Sequence, residues 1–433
     1  MPTREEINTL CEKTERYLVD VLMPFWMERS VDKECGGFLP YFDRDGRPTG
    51  ETTKTYLSQI RMLYAMSSAH RAGFGNGRCE ELSRWAADFL LNYFWDEKNG
   101  GWIWIADRRG IPTVTAKVGY GQVFGLYAFS EYLLATRDER GRTAANRTFD
   151  AIQRHMVDRG NGGFFELFRP DWRVERPGEY GGDRKSMDVH MHAMEAFTSF
   201  YEMTGDPSHS KRLLDVIDVI ISRMLDPDVG TGYIQFTHDF RPLPAIMFAV
   251  DWGRDAKPVD GVARPLNFTS YGHNVEFAWL LLHAADVLGQ PRDTYREVVR
   301  RIFDHCVAYG IDWEVGGVFV EGPRDGPTQL TEKQFWQQAE VLVGMLDAYA
   351  MFGDEKYWKA FCNVHDFVFR KFIHLPGGGE WFERLARDGT PVDDALGHGW
   401  KICYHTIRSM VQCTRRLRAL ATGQTPIAEN LVR

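Results

Sequence analysis

The sequence predicts an all-α protein, an (α/α)6 barrel with short β-hairpins gathered at one mouth. Three observations predict it: six copies of one glycine-rich hairpin motif, about twelve helical segments between them, and an alternation of strongly apolar with amphipathic segments. The hairpin copies are "GGFLPYFDRDGRP" from Gly36, "NGGWIWIADRRGIP" from Asn99, "NGGFFELFRPDWRV" from Asn161, "GTGYIQFTHDFRP" from Gly230, "VGGVFVEGPRDGP" from Val315 and "GGGEWFERLARDGTP" from Gly377. Each has small residues, then aromatic or β-branched residues, then a polar turn. They recur every roughly 60–70 residues, with one longer gap of about 85 between the fourth and fifth.

The helical segments follow in order. "REEINTLCEKTERYLVDVLMPFW" opens the chain. "TTKTYLSQIRMLYAMSSAHRA" pairs with "CEELSRWAADFLLNYFW", and "YGQVFGLYAFSEYLLAT" with "AANRTFDAIQRHM". "SMDVHMHAMEAFTSFYEMTG" pairs with "SKRLLDVIDVIISRML", "YGHNVEFAWLLLHAADVLG" with "TYREVVRRIFDHCVAYG", and "EKQFWQQAEVLVGMLDAYAMFG" with "KYWKAFCNVHDFVFRKF". The last segment, "WKICYHTIRSMVQCTRRLRAL", takes the first as its partner. One member of each pair is much more apolar and the other amphipathic, which suits an inner and an outer ring. Six pairs suit closure; an open helical solenoid is the alternative. In the closed layout the hairpins join outer to inner helices, beside the N-terminal ends of the inner ones. Residues 1–433 then form one catalytic domain, with 418–433 expected as a mobile C-terminal tail.

Composition narrows the partners. The chain has 433 residues, 44% hydrophobic and 26% charged, with a net charge of −8 and no basic block. Nucleic acid is therefore not expected, and a small polar molecule is. The N-terminus has no apolar signal region, and no stretch approaches the ~20 apolar residues that span a bilayer. Seven scattered cysteines without a C-x-x-C pair read as reduced thiols, and a cytoplasmic location is expected. A homodimer is compatible with the sequence, though no motif specifies one.

Polar residues concentrate where the inner helices begin. These are Arg61; Tyr120 and Gln122; Asp188, His190 and His192; His273, Asn274 and Glu276; Trp336, Gln337, Gln338 and Glu340; and Trp400, Lys401, Tyr404, His405 and Arg408. A closed barrel brings them to one cavity. His273 and Glu276, three apart, share a helix face. His190 and His192 point about 200° apart, so "HMH" is a poor metal pair. His192 shares a face with Asp188, which can orient its ring, and His190 is expected against a neighbouring helix. Glu340 and Arg408 also read as a structural ion pair, and Trp336 and Trp400 as core residues.

These residues resemble the N-acylglucosamine 2-epimerase superfamily, most closely its cellobiose and mannose 2-epimerase branches. The pieces that carry the resemblance are "SYGHNVEFAWLL", "FWQQAEVLVG", "GGEWFERLARDG" and "WKICYH", with "QIRMLY", "YGQVFGLYAFSEY" and "MDVHMHAMEA" in support. The resemblance covers nearly the whole chain and implies the same barrel. It implies inversion at C2 of an aldose, by ring opening and proton transfer through a cis-enediolate, with no cofactor and no metal. It further implies that His273 and His405 transfer the protons and that Glu276 holds the sugar and tunes His273. His192 serves ring opening and Arg61 faces the O1–O2 edge. Tyr120, Asp188, Trp336, Trp400 and Gln338 are assigned to substrate binding. Asp188 stands where cellobiose epimerases usually have Asn, and Phe335 where they have a first Trp. The longer segment before His273, "LPAIMFAVDWGRDAKPVDGVARPLNFTS", is expected at the mouth, where it would fill the space of a second sugar ring. A mannose–glucose pair is therefore expected ahead of cellobiose. An aldose–ketose isomerase, a glycoside hydrolase using Asp188 and Glu276, and a non-catalytic carbohydrate-binding scaffold remain as rivals.

Overall fold

The computed structural model describes residues 1–248 and 263–424. Its helices are α1 (Arg4–Tyr17), α2 (Met23–Arg29), α3 (Tyr56–Arg71), α4 (Arg78–Tyr93), α5 (Gly119–Thr136), α6 (Glu139–Ala151), α7 (Met187–Thr204), α8 (Pro207–Val219), α9 (Tyr271–Val287), α10 (Arg296–His305), α11 (Phe335–Phe352), α12 (Glu355–Phe367) and α13 (Tyr404–Ala421). The π-helical turn Leu18–Leu22 joins α1 to α2, so thirteen described α-helices make twelve rods.

Helices α3, α5, α7, α9, α11 and α13 form a closed ring, with α13 packing back on α3. The rods begun by α1, α4, α6, α8, α10 and α12 surround it, and α1 lies against α13. Closure rules out the open solenoid. Burial follows the two rings. In α9 every residue from Tyr271 to Leu282 except His273 is buried, whereas α10 buries only Val299, Ile302, Phe303 and His305. Three inner helices end in a left-handed residue, Arg137, Gly205 or Gly353, and the next residue caps the outer helix. Those caps are Asp138, Asp206 and Asp354, each accepting the N–H two residues on.

After each outer rod the chain makes a tight loop, closed by the bridges Val31–Phe38, Trp95–Trp102, Val157–Phe164, Leu225–Gly232, Ile311–Val318 and Ile373–Trp381. The strand that follows pairs antiparallel with the strand entering the previous ring helix. Ile105–Ala106 thus pairs with Lys54–Thr55, Leu167–Phe168 with Lys117–Val118, and Gln235–Thr237 with Arg184–Ser186. Glu321–Pro323 pairs with Phe268–Ser270, and Arg384–Leu385 with Lys333–Gln334. A bridge between Phe42 and Gly397 closes this second ring. The six hairpin motifs therefore form one rim at the starts of the inner helices.

Two devices hold the rim. Asp32, Asp96, Asp158, Asp226 and Asp312 open five of the loops, and Oδ1 of each accepts N–H groups two and three residues on. Oδ2 of each takes a cation: Lys54, Lys117, Lys185, Arg324 and Lys333 respectively. The lysines stand two residues before a ring helix and are fully buried. In the fourth repeat Thr269 has the lysine's place, and Arg324 reaches in from the next hairpin.

The second device is the fourth residue of five ring helices. Gln59, Gln122, His190, Asn274 and Gln338 accept the backbone N–H of Phe38, Trp102, Phe164, Gly232 and Val318 at 2.8–3.0 Å. A Cβ on Gly37, where φ is 63°, would lie 2.7 Å from Gln59 Oε1, so this loop needs glycine. Two expectations are corrected here. Gln338 also donates to Val318 O at 2.8 Å, so its amide holds a hairpin and is not a substrate-binding group. His190 donates from Nδ1 to Ser186 O at 2.8 Å and grips a hairpin, not a neighbouring helix.

No described helix is long and apolar enough to cross a membrane, and all seven cysteines are free thiols. Helix α13 continues to Ala421, so residues 418–421 of the expected tail are helical; residues 425–433 lie outside the described residues. Residues 249–262, the middle of the segment before His273, also lie outside them.

The lysine latch contributes to the fold's acid stability. Burial would raise the Asp158 carboxyl, but Lys185 and the loop N–H groups outweigh it and hold it at about 2. Its contribution is complete above the unfolded value of ~3.9 and is lost as pH falls through about 2. Lys185→Met leaves a buried carboxylate without its cation. We expect a loss of about 3 kcal/mol at pH 7 in urea unfolding, and a flatter loss of stability between pH 4 and 2 than in the parent protein.

Candidate active site

The first two turns of the inner helices bring the polar set together inside the rim. The deepest element is Arg408 of α13, whose side chain is 1% exposed. Its guanidinium pairs with carboxylates of three other ring helices: Glu195 of α7, Glu276 of α9 at 2.5 Å and Glu340 of α11 at 2.8 Å. The Tyr404 hydroxyl, four residues before Arg408, bonds both Glu195 and Arg408. Three carboxylates around one guanidinium are not all compensated. Burial and the Glu340 charge push the Glu276 carboxyl above the usual range, against the pull of Arg408.

Two of these carboxylates also hold imidazoles. His405 donates from Nδ1 to Glu340 Oε1 at 2.6 Å, which leaves Nε2 as the basic nitrogen. Glu340 pairs with Arg408, as Glu195 does, and among the described residues it is the only carboxylate within ion-pair distance of His405. Burial, with the positive charges of Arg61, Arg408 and His192, keeps His405 neutral. His192 has the opposite surroundings. Its Nδ1 lies 2.8 Å from Glu195 Oε2, and its Nε2 lies 3.4 Å from Asp188 and 3.2 Å from the Tyr120 hydroxyl. Burial would lower it, but Asp188 and Glu195 outweigh burial and raise it to about 10. Two imidazoles of one site are thus held in opposite protonation states.

The upper wall is aromatic. Arg61 donates to Trp400 O and to the Tyr120 hydroxyl, both at 2.7 Å. The Trp400 ring stacks on Tyr120 with centroids 5.4 Å apart. Trp336 contacts two imidazoles, with ring centroids 4.5 Å from His273 and 5.7 Å from His405. His273 is the more open of these, and its Nε2 is 3.5 Å from Asp188 Oδ1. Asp188 therefore stands within ion-pair range of both His192 and His273. Burial would raise its carboxyl, but the two imidazoles hold it at about 2.

Of the ten residues singled out by sequence, nine meet here and Gln338 does not. Glu276 bonds Arg408 below the site, whereas His273 faces Asp188 and Trp336 above it. Asp188 does orient His192, but Glu195 is the closer partner. Glu195 escaped the sequence reading, although it stands three residues after His192, the same spacing as His273 and Glu276. The Glu340–His405 bond links separate helices, and no local spacing signals it. Among the described residues, ligand-type atoms of Glu276, Glu340 and His405 lie within 4.8 Å of one another. The Arg408 guanidinium already pairs with both carboxylates of that cluster.

The split between the imidazoles can be read by 15N NMR. We expect His192 to stay protonated past pH 8 and His405 to stay neutral down to pH 6. In Glu195→Gln the His192 transition should fall by at least about one pH unit while that of His405 does not rise. A His192 that titrates near the ordinary ~6.5 would contradict this electrostatic picture.

The chain is similar to known proteins over nearly its whole length. Residues 36–409 match the N-acylglucosamine 2-epimerase (GlcNAc 2-epimerase) family. A cellobiose 2-epimerase of Bacteroides fragilis is 29% identical over 418 residues, covering 93% of this chain and 98% of that protein. A D-mannose isomerase of Marinomonas mediterranea is 23% identical, over 92% of this chain and 96% of its own length. The solved structure of cellobiose 2-epimerase from Bacillus thermoamylovorans superposes with a TM-score of 0.84 at 25% identity, covering 94% of this chain and 100% of its own. With nearly all of its length matched and the same ring of helices beneath the site, this chain belongs to the N-acylglucosamine 2-epimerase family of carbohydrate isomerases.

Proposed function

We propose that the protein inverts C2 of an unmodified aldose, interconverting mannose and glucose. The observation that carries this reading is the pair of imidazoles that both contact Trp336, His273 from α9 and His405 from α13. Inversion at a carbon next to a carbonyl needs one base to remove the proton from one face and a second group to return a proton to the other. His192, held as an imidazolium, serves as the acid that opens the sugar ring. Arg61 and the Tyr120 hydroxyl stabilise negative charge on O1 and O2 of the enediolate. Glu340 holds His405 in the tautomer with a free Nε2. The cationic groups at the site are engaged with carboxylates or aromatic rings, which favours a sugar without phosphate.

A second reading, inversion at the reducing-end glucose of cellobiose, is favoured by the names of the similar proteins reported above. A third, proton return to C1 to give a ketose, uses the same residues and has the D-mannose isomerase as its precedent.

One NMR experiment in D2O separates the three readings, with mannose, glucose, cellobiose and N-acetylglucosamine as the panel. We expect deuterium at C2 and glucose from mannose. Turnover of cellobiose alone would select the second reading, and fructose as the dominant product the third. His273→Asn and His405→Asn should each lower kcat/KM by ~10³. Each should also block inversion more severely than it blocks C2 exchange on one of the two epimers. Equal loss of both in both variants would contradict the two-base assignment.

A further inference from the structure

Below His405 the polar character of the site continues down α13. Arg408, Gln412 and Arg416 recur every four residues on one face, and all are buried. That spacing is one helical turn, so the heads descend the barrel in steps of about 6 Å. The carboxylates bonded to Arg408 come from α7, α9 and α11, which places this face of α13 on the barrel axis. Arg416 reaches Asp347 of α11 at 2.8 Å and also bonds Gln412. Ser67 of α3 lies at a similar depth, eleven residues into its helix against twelve for Arg416.

These residues share a second property. Among the described residues, six of their buried polar atoms have no protein hydrogen-bond partner: Glu276 Oε2, Arg408 Nε, Gln412 Nε2, Arg416 Nε, Asp347 Oδ1 and Ser67 Oγ. They follow one another from the level of the site toward the far end of the barrel. Such orphaned atoms are few in native proteins, and buried water is their usual partner. The set mixes donors with two acceptors and a hydroxyl, which water molecules satisfy and a single ion does not.

We propose that a file of water molecules occupies the barrel axis beneath the site, running from Glu276 and Arg408 past Gln412 to Arg416 and Ser67. It gives the Arg408 cluster a route to bulk solvent at the end opposite the hairpin rim. A proton on a group facing the file exchanges one for one with a solvent proton, and no net charge moves. The file stands on these side chains alone and does not depend on which sugar the rim admits.

A crystal structure at about 1.5 Å and 15N-arginine NMR test it. We expect ordered waters on Gln412 Nε2 and Arg416 Nε, and exchange of the Arg408 Nε proton with water faster than that of neighbouring buried amides. Gln412→Leu should slow that exchange at least tenfold, whereas Gln412→Glu, which keeps a polar head in the file, should leave it fast. A dry axis in which those atoms bond protein, density that refines as a metal ion, or unchanged exchange in Gln412→Leu would overturn the proposal. Should Gln412→Leu not fold, the crystal structure of the parent protein decides.

Discussion

A buried guanidinium constrains the centre of this protein. Taking Arg408 out of water costs several kcal/mol unless charges of opposite sign meet it with good geometry. Carboxylates from α7, α9 and α11 supply them, so four of the six ring helices are tied at one depth. Because Glu195 and Glu340 also hold His192 and His405, the interaction that aligns the helices aligns the imidazoles too. Architecture and site share the same few atoms.

The rim is secured by separate means. Cation–aspartate latches and side-chain clamps hold five of the six hairpin loops, and strand pairing sews each of the last five hairpins to the preceding repeat. These bonds lie at the ends of the inner helices, above Arg408. The hairpin loops can therefore differ in length without disturbing the ion cluster below. The fourth repeat does differ, with the long segment before α9 and with Arg324 in place of a lysine. Its change of latch preserves the same buried charge balance at Asp226.

The site's chemistry rests on a contrast produced by unequal sharing of negative charge. His192 has two carboxylates within ion-pair distance, and only Glu195 of these is shared with Arg408, whereas the carboxylate at His405 is divided with Arg408. One ring is thereby held as an acid and the other as a base at the same pH. Burial alone would have pushed both toward the neutral form.

Much of this was legible in the sequence. The period of the hairpin motif determined the number of helix pairs, and the alternation of apolar with amphipathic segments determined which helices form the inner ring. Both are local patterns, written in every repeat. The starts of the inner helices likewise pointed to nine of the residues that meet at the site. What the tertiary structure decided was partnership. Gln338 and His190 sit among the site residues in sequence yet turn to the hairpins, because the fourth residue of five of the six ring helices faces the rim loop rather than the axis. Glu340 pairs with His405, and Arg408 with three glutamates, across gaps of 65 to 213 residues. Charge compensation in a buried space depends on which groups closure brings within a few ångströms, and helical spacing within one segment does not encode that distance.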